Sequence, residues 1–268
     1  MIVEETVSLL RKNYGSYLDG LVISGVRIGS FMTAVRLSDD SLGIASAEAD
    51  SEIHCDKKNR DFGEFTPLNI EGRKANELFD TPKKSAVISS LKIAVLNAIS
   101  SRIIGEKDYK IVRNTDPVDL LDLDQKLTIT LVGAFHSYIR KISESGNRLN
   151  VLELNENALL PEHKQYFVPA GEYSRVLPAS DVVIITGLTL VNNTLDELLN
   201  NIPPNARVII TGPSSSILPD VLFSHNVSII GATRISRPEL VFPLISQGAA
   251  GYHLFKYCAE KICILKEE

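Results

Sequence analysis

Cysteine is scarce in this sequence: there are three in 268 residues, an odd number without framework spacing. That excludes a disulfide scaffold and fits a reducing cytoplasm. Positive charge is also in short supply. Lys and Arg number 28 against 33 Asp and Glu, for a net charge of −5 and a pI near 5.6. No basic block stands out, whereas a nucleic-acid reader shows a basic stripe. The opening MIVEETVSLL carries acids where a signal peptide needs bases. No apolar run is long and unbroken. Residues 86–104 are interrupted by Lys92, Asn97 and four serines, which argues against a membrane span. Trp is absent and Met occurs twice, and neither fact bears on function. The chain has no P-loop, no nucleophile elbow, no Ser/His/Asp order and no HxH or HExxH spacing. Nothing in it compels catalysis.

What is present is ordinary globular composition, 44% hydrophobic and 23% charged, enough to bury a real core. Val3, Val7, Leu10 and Tyr14 follow helical spacing. LVISGVRIG (21–29), FMTAVRL (31–37) and LGIAS (42–46) read as an antiparallel meander. A polar loop over 48–64 follows, then a short helix near Ala75 and an all-round apolar, buried helix over 85–104. The segment 114–125, NTDPVDLLDLDQ, carries four acids and a Pro and is expected to be a linker. The reading is therefore an α+β domain over 1–113 and an α/β domain with a parallel sheet over 126–268.

Five β-branched runs carry the second domain: LTITLVGAF (127–135), LNVLELN (149–155), DVVIITGLT (181–189), ARVIITGPSSS (206–216) and VSIIGATRIS (227–236). Continuous apolar strands ending in small and polar residues are how a parallel sheet covered on both faces reads. Such sheets bind ligands beyond the carboxyl ends of their strands. Two helix starts are expected there, capping boxes from Thr194 with Glu197 and from Ser236 with Glu239, each aimed at the crevice.

The candidate site follows from those ends. Gly133 permits a tight turn into a helix whose first amides face an anion. Glu153, twenty residues on, sits where a dinucleotide fold keeps its ribose acid, but the glycine fingerprint is missing and Phe135 would crowd a pyrophosphate. Gly187, Thr189, Asn193 and Thr194 follow one strand, and Gly212, Pro213 and Ser214 follow the next; hydroxyls and free amides of this kind bind anions or simply cap turns. Arg234 would add positive charge. His136 alone among the histidines lies at a strand end. The triplet His54-Cys55-Asp56, near Glu48, Asp50 and Glu52, offers mixed metal donors, while Cys258 and Cys263 read as buried small residues.

TLVGAF, NVLELN, DVVIITGLTLVNNTLDELL, RVIITGPSSSILPDVLF, IIGATRIS and LISQGAAGYHLFK, with SGVRIG, TAVRL, GIAS, ANELF and IAVLNAIS before them, make the chain resemble a prokaryotic family described as putative heavy-metal chelation proteins. The resemblance covers nearly the whole chain. It implies an enolase-N-terminal-like domain followed by a Rossmann-like domain, and a site in the cleft between them. On this sequence that site comprises Gly133, Phe135, Glu153, Gly187, Thr189, Asn193, Thr194, Gly212, Pro213 and Ser214, with Asn76 and Asn97 from the first domain. Ala134, Leu188 and Asn226 stand where glycine is expected. The expected function is cytoplasmic metal or metal-cofactor handling, with an anionic small molecule or metal complex as partner and a transition metal as the candidate cofactor. The alternative is a nucleotide- or S-adenosylmethionine-dependent transferase or oxidoreductase. No nucleic-acid or membrane partner is expected, and a homodimer is the base-rate assembly.

Overall fold

A computed structural model describes residues 1–47 and 62–267. The His54-Cys55-Asp56 triplet and its acidic neighbours lie outside them. The chain opens with α1 (Ile2–Gly20), whose Ile2, Val7, Leu10 and Leu18 are buried. The antiparallel meander follows as β1 (Ile23–Ile28), β2 (Met32–Leu37) and β3 (Leu42–Ser46), in that spatial order. Then come α2 (Glu77–Asp80) and α3 (Ala86–Glu106). Ser85 caps α3, its Oγ accepting from the Ile88 amide at 3.2 Å.

By length and composition α3 is apolar enough to cross a membrane, but 72% of its apolar window is buried inside the protein. It is the core helix. Ile88, Leu91, Val95 and Ile99 are nearly inaccessible, each worth roughly 1.5–3 kcal/mol of transfer free energy. The helix lies so close to β3 because Gly43 has no side chain: a Cβ there would stand 2.0 Å from the Ala94 carbonyl oxygen and 2.3 Å from the Ala98 nitrogen.

The second half builds one eight-stranded sheet. Its elements are β4 (Lys110–Arg113), β5 (Thr128–Val132), α4 (His136–Glu144), β6 (Arg148–Glu153), β7 (Phe167–Pro169), α5 (Tyr173–Val176), β8 (Val182–Thr186), α6 (Leu188–Val191), α7 (Leu195–Leu199), β9 (Arg207–Thr211), α8 (Pro219–Ser224), β10 (Val227–Ile235), α9 (Pro238–Ser246), α10 (Gly251–Tyr257) and β11 (Ala259–Leu265). All five sequence-marked runs are parallel strands of this sheet, joined by the three-residue β7. The parallel set runs β7-β6-β5-β8-β9-β10, which in chain order is 3-2-1-4-5-6, the doubly wound arrangement that reverses between its first and fourth strands. Beyond β10, β11 pairs antiparallel, and β4 pairs antiparallel with β11.

Alternation along the strands sends side chains to two cores. Val183, Ile185, Val208, Ile210 and Ile230 join α1 and α3 in the largest cluster, which spans both halves. Ile129, Leu131, Val151, Ile184 and Ile209 meet Tyr138, Ile139 and Ile142 of α4 on the other face. A third cluster places Val241 and Ile245 of α9 against Met32, Ala34 and Ile44 of the meander. The meander is thus covered on one face by α3 and on the other by α9.

Neither expected capping box forms. Thr194 Oγ1 donates to Asn192 Oδ1 at 2.7 Å, while Glu197 accepts from the Tyr173 hydroxyl. Arg237, not Ser236, precedes α9, and its Nε donates to Glu239 at 3.3 Å. Thr194, Glu197 and Glu239 each have a side-chain partner instead of a helix amide. The body of α9 packs on β1 and β2.

Candidate functional site

The turns at the carboxyl ends of the strands divide into two groups. The first surrounds the switch between β5 and β8. Gly133 has φ +109°, a conformation that favours glycine, and a Cβ there would sit 3.3 Å from Thr186. Both carboxylate oxygens of Glu153 are engaged by backbone: Oε2 accepts from the Ala134 amide at 3.1 Å and Oε1 from the Leu154 amide at 2.7 Å. The acid staples the end of β5 to the end of β6 and is not held out for a ribose. Phe135 stacks on Tyr138 with ring centroids 5.2 Å apart. His136 opens α4 exposed, with no hydrogen-bonding or charged partner among the described residues.

The second group lies where the two halves meet. Gly187 donates to the Thr211 carbonyl at 2.8 Å, and Thr189 Oγ1 donates to the Thr186 carbonyl at 2.7 Å. Gly212 has φ +128° and leads into the Pro213–Ser215 turn. Ser214 Oγ accepts from the Ser46 amide at 2.8 Å, and Ser90 Oγ donates to the Ser46 carbonyl at 3.1 Å. Ser215 Oγ sits 2.6 Å from both the Gly212 and Gly231 carbonyls, and Ser216 Oγ accepts from the Thr233 amide at 2.9 Å. Asn97 Nδ2 donates to the Ile44 carbonyl at 2.7 Å and the Pro213 carbonyl at 3.3 Å. The serine run is therefore spent on joining the meander, α3 and β10.

Asn193 and Thr194 lie apart from both groups, exposed, and Asn193 takes the left-handed φ of +59°. It lines the groove between α1 and α3. Asn76 is bound to Arg11 and Asp19 and faces neither cavity described next. Asn226, at φ +65°, fills a glycine-like position because asparagine tolerates that conformation.

Two concavities flank the edge of the large sheet and share Ala232 and Ile262. The larger, about 640 Å³, lies between the halves, walled by β3 and α3 on one side and by β4, β10 and β11 on the other. Lys107, Arg113 and Arg234 line it, together with Asp40, Asn97 and Thr233. Lys107 pairs with Asp220 and Arg234 with Glu260, each at 3.5 Å, whereas Arg113 has no acidic partner among the described residues. Of these, sequence reading named only Asn97 and Arg234. Lys107 and Arg113 flank or end an edge strand whose four residues, Lys-Ile-Val-Arg, give too little pattern to be seen.

The smaller cavity, about 240 Å³, opens at the end of β9 and beside the middle of β10. Phe135, Tyr138, Pro213, Tyr252 and Phe255 line it. Its polar corner is Asp116, which accepts from the Tyr138 hydroxyl and from Lys261. Burial, reinforced by Asp116, pushes the Tyr138 phenol far above its ordinary range, so it keeps its proton. Cys263, below, is pushed up to about 12 by burial and then by Asp116.

A family model described as putative heavy-metal chelation matches residues 116–264, and a second of the same description matches residues 11–100. The chain belongs to this putative heavy-metal chelation family. A protein of unknown function from Pyrococcus horikoshii, of the same family, superposes with a TM-score of 0.77 at 20% identity, covering 99% of this chain and 98% of that one. Another, from Desulfitobacterium hafniense, gives 0.75 at 17% identity over 98% of each. An uncharacterized protein of Methanocaldococcus jannaschii is 26% identical over 204 residues, 75% of each chain. The family fold of a large, mostly parallel sheet with a small separate antiparallel sheet is thus established for this chain.

The family description raises the question of a resident metal. Among the described residues no group of three or more His, Cys, Asp or Glu is arranged to hold an ion. His136 stands alone, Glu153 is committed to backbone amides, and the Cys263 thiol resists the deprotonation that ligation needs. The described side chains do not make a protein-only metal centre.

Proposed function

We propose that this chain binds an anionic small molecule, or a metal already complexed by one, in the cavity between its halves. The observation that carries this reading is the convergence of Lys107, Arg113 and Arg234, all exposed, on one concave surface, with Arg113 unpaired by any described acid. A concave surface on which cations converge concentrates counter-ions, and guanidinium forks match carboxylate or phosphate geometry. Metal, in this reading, is cargo held by the small molecule. That agrees with the family's description and with the lack of a ligand cluster among the described side chains. The reading needs no catalytic step.

The test is native mass spectrometry with elemental analysis on full-length protein purified without chelator or affinity-tag metal. A co-purifying anion or metal complex, lost from an Arg113→Ala/Arg234→Ala double variant, supports the proposal. A clean apo mass, together with no thermal shift from any carboxylate or phosphate, sinks it.

The strand order favours a second reading, a nucleotide- or S-adenosylmethionine-dependent transferase or oxidoreductase using the end of β5. Against it, Glu153 is already engaged and Phe135 is packed on Tyr138. Adenosine-type ligands that bind wild type and not Glu153→Ala would revive it.

A further inference from the structure

Five buried side-chain polar atoms in the described residues have no hydrogen-bond partner: Thr33 Oγ1, Asn97 Oδ1, Ser100 Oγ, His163 Nδ1 and Thr233 Oγ1. Two of them, Asn97 and Thr233, line the cavity between the halves, one contributed by each half. Asn97 is 2% exposed and Thr233 is 8% exposed. A buried polar atom without a partner is costly, so native proteins rarely keep one without a use.

Asn97 Oδ1 is the more informative. Its amide cannot be turned around, because Nδ2 donates to the Ile44 and Pro213 carbonyls at 2.7 and 3.3 Å. The reverse orientation would set oxygen against two oxygens. Oδ1 is therefore a fixed acceptor, and only a donor can satisfy it. A fully ionised inorganic anion or a plain carboxylate brings none. An ammonium group would bring one, but it would enter a cavity lined by Lys107, Arg113 and Arg234, whose like charge disfavours it. A neutral hydroxyl meets both demands.

Resting on the proposed reading of this cavity as an anion site, we infer that its ligand is a hydroxylated anion. The O–H is addressed to Asn97 Oδ1 or Thr233 Oγ1, and the carboxylate or phosphate is addressed to the cationic wall. A hydroxyl that donates its hydrogen to Asn97 keeps its lone pairs. Paired with a neighbouring carboxylate, it can still hold a hard metal cation through oxygen, which is the chemistry of a small-molecule chelator.

The experiment is calorimetric titration of the full chain with probes matched in pairs that differ by one or more hydroxyls: citrate and tricarballylate, malate and succinate, glycerol 3-phosphate and propyl phosphate. The expected result is that the hydroxylated member of at least one pair binds on the order of 10- to 100-fold tighter than its partner. Which pair responds distinguishes carboxylate from phosphate. The isosteric Thr233→Val should reduce that preference, and Asn97→Leu should abolish it; the wild-type comparison stands even if Asn97→Leu fails to fold. Equal affinity within every pair, weakened by Arg113→Ala, leaves the anion site standing, assigns the Asn97 acceptor to water, and overturns this inference. If no probe of any pair binds, both the anion site and the inference fall.

Discussion

The serine-rich turn at the end of β9 and the cavity wall beside it are built from the same kinds of residue, yet they differ in one respect. In the turn, Ser214, Ser215 and Ser216 all have partners inside the protein, and the Ser46 amide is satisfied by Ser214. In the wall, Asn97 Oδ1 and Thr233 Oγ1 have none. Hydroxyls and amides at strand ends look alike in a sequence whether they staple the fold or wait for a ligand. Partner satisfaction separates the two roles, and it is visible only once the chain is folded.

The comparison can be broken most forcefully at Gly43, which both regions depend on to seat α3. Gly43→Ala drives a methyl into the backbone of α3, and it should cost on the order of 3 kcal/mol or prevent folding, read by urea denaturation. Next comes the direct contrast. Ser214→Ala strands the Ser46 amide and should lose about 1–3 kcal/mol. Thr233→Val removes an unpaired hydroxyl and should leave stability unchanged or raise it by up to about 1 kcal/mol. Equal losses in the two variants would erase the distinction between staple and site.

A smaller effect concerns the rim of the cavity at Ser41. Burial pushes the Asp39 carboxyl up, but the hydroxyls of Tyr17 at 2.6 Å and Ser41 at 2.7 Å outweigh it and hold the group below its ordinary 3.8. A depressed folded-state value means that unfolding takes up a proton in this range. Its stabilisation is therefore full above roughly pH 4–5 and drains away as the pH falls through 3.8 toward the lower folded value. Urea midpoints at pH 7, 4 and 3 should show that loss, and Tyr17→Phe should shrink it. The smallest expected signal is chemical. With its thiol raised to about 12, Cys263 should resist iodoacetamide at pH 8 in native protein and react only on unfolding, as peptide mapping would report.

The parallel sheet was legible because its strands are continuous apolar runs, and the meander because its runs are punctuated by turn residues. Three strands were not among the marked runs. β7 is three residues and ends in Pro169; β4 is four residues with a charge at each end; β11 mixes Glu260 and Lys261 among its apolar positions. Each lies at or near a sheet edge, where one side is wet and the pattern weakens. The capping boxes were misread for a different reason, since Glu197 found Tyr173 from another element. In the site, Asn97 and the serine run were named for one cleft, and Asn97 donates to the Pro213 carbonyl. What they do there was not legible, because the amide that occupies Ser214 belongs to Ser46, 168 positions away. Lys107, Arg113 and Thr233 carried no local signal at all.

The pairing of β4 with β11 sets an order of events. Ile111 and Ile264 are register partners roughly 150 positions apart, the kind of long loop that closes late. As the chain leaves the ribosome, β4 has no strand to lie against until β11 arrives, and its amides stay bare in the meantime. The cationic wall that Arg113 and Arg234 build across that edge therefore cannot be assembled until β11 is in place.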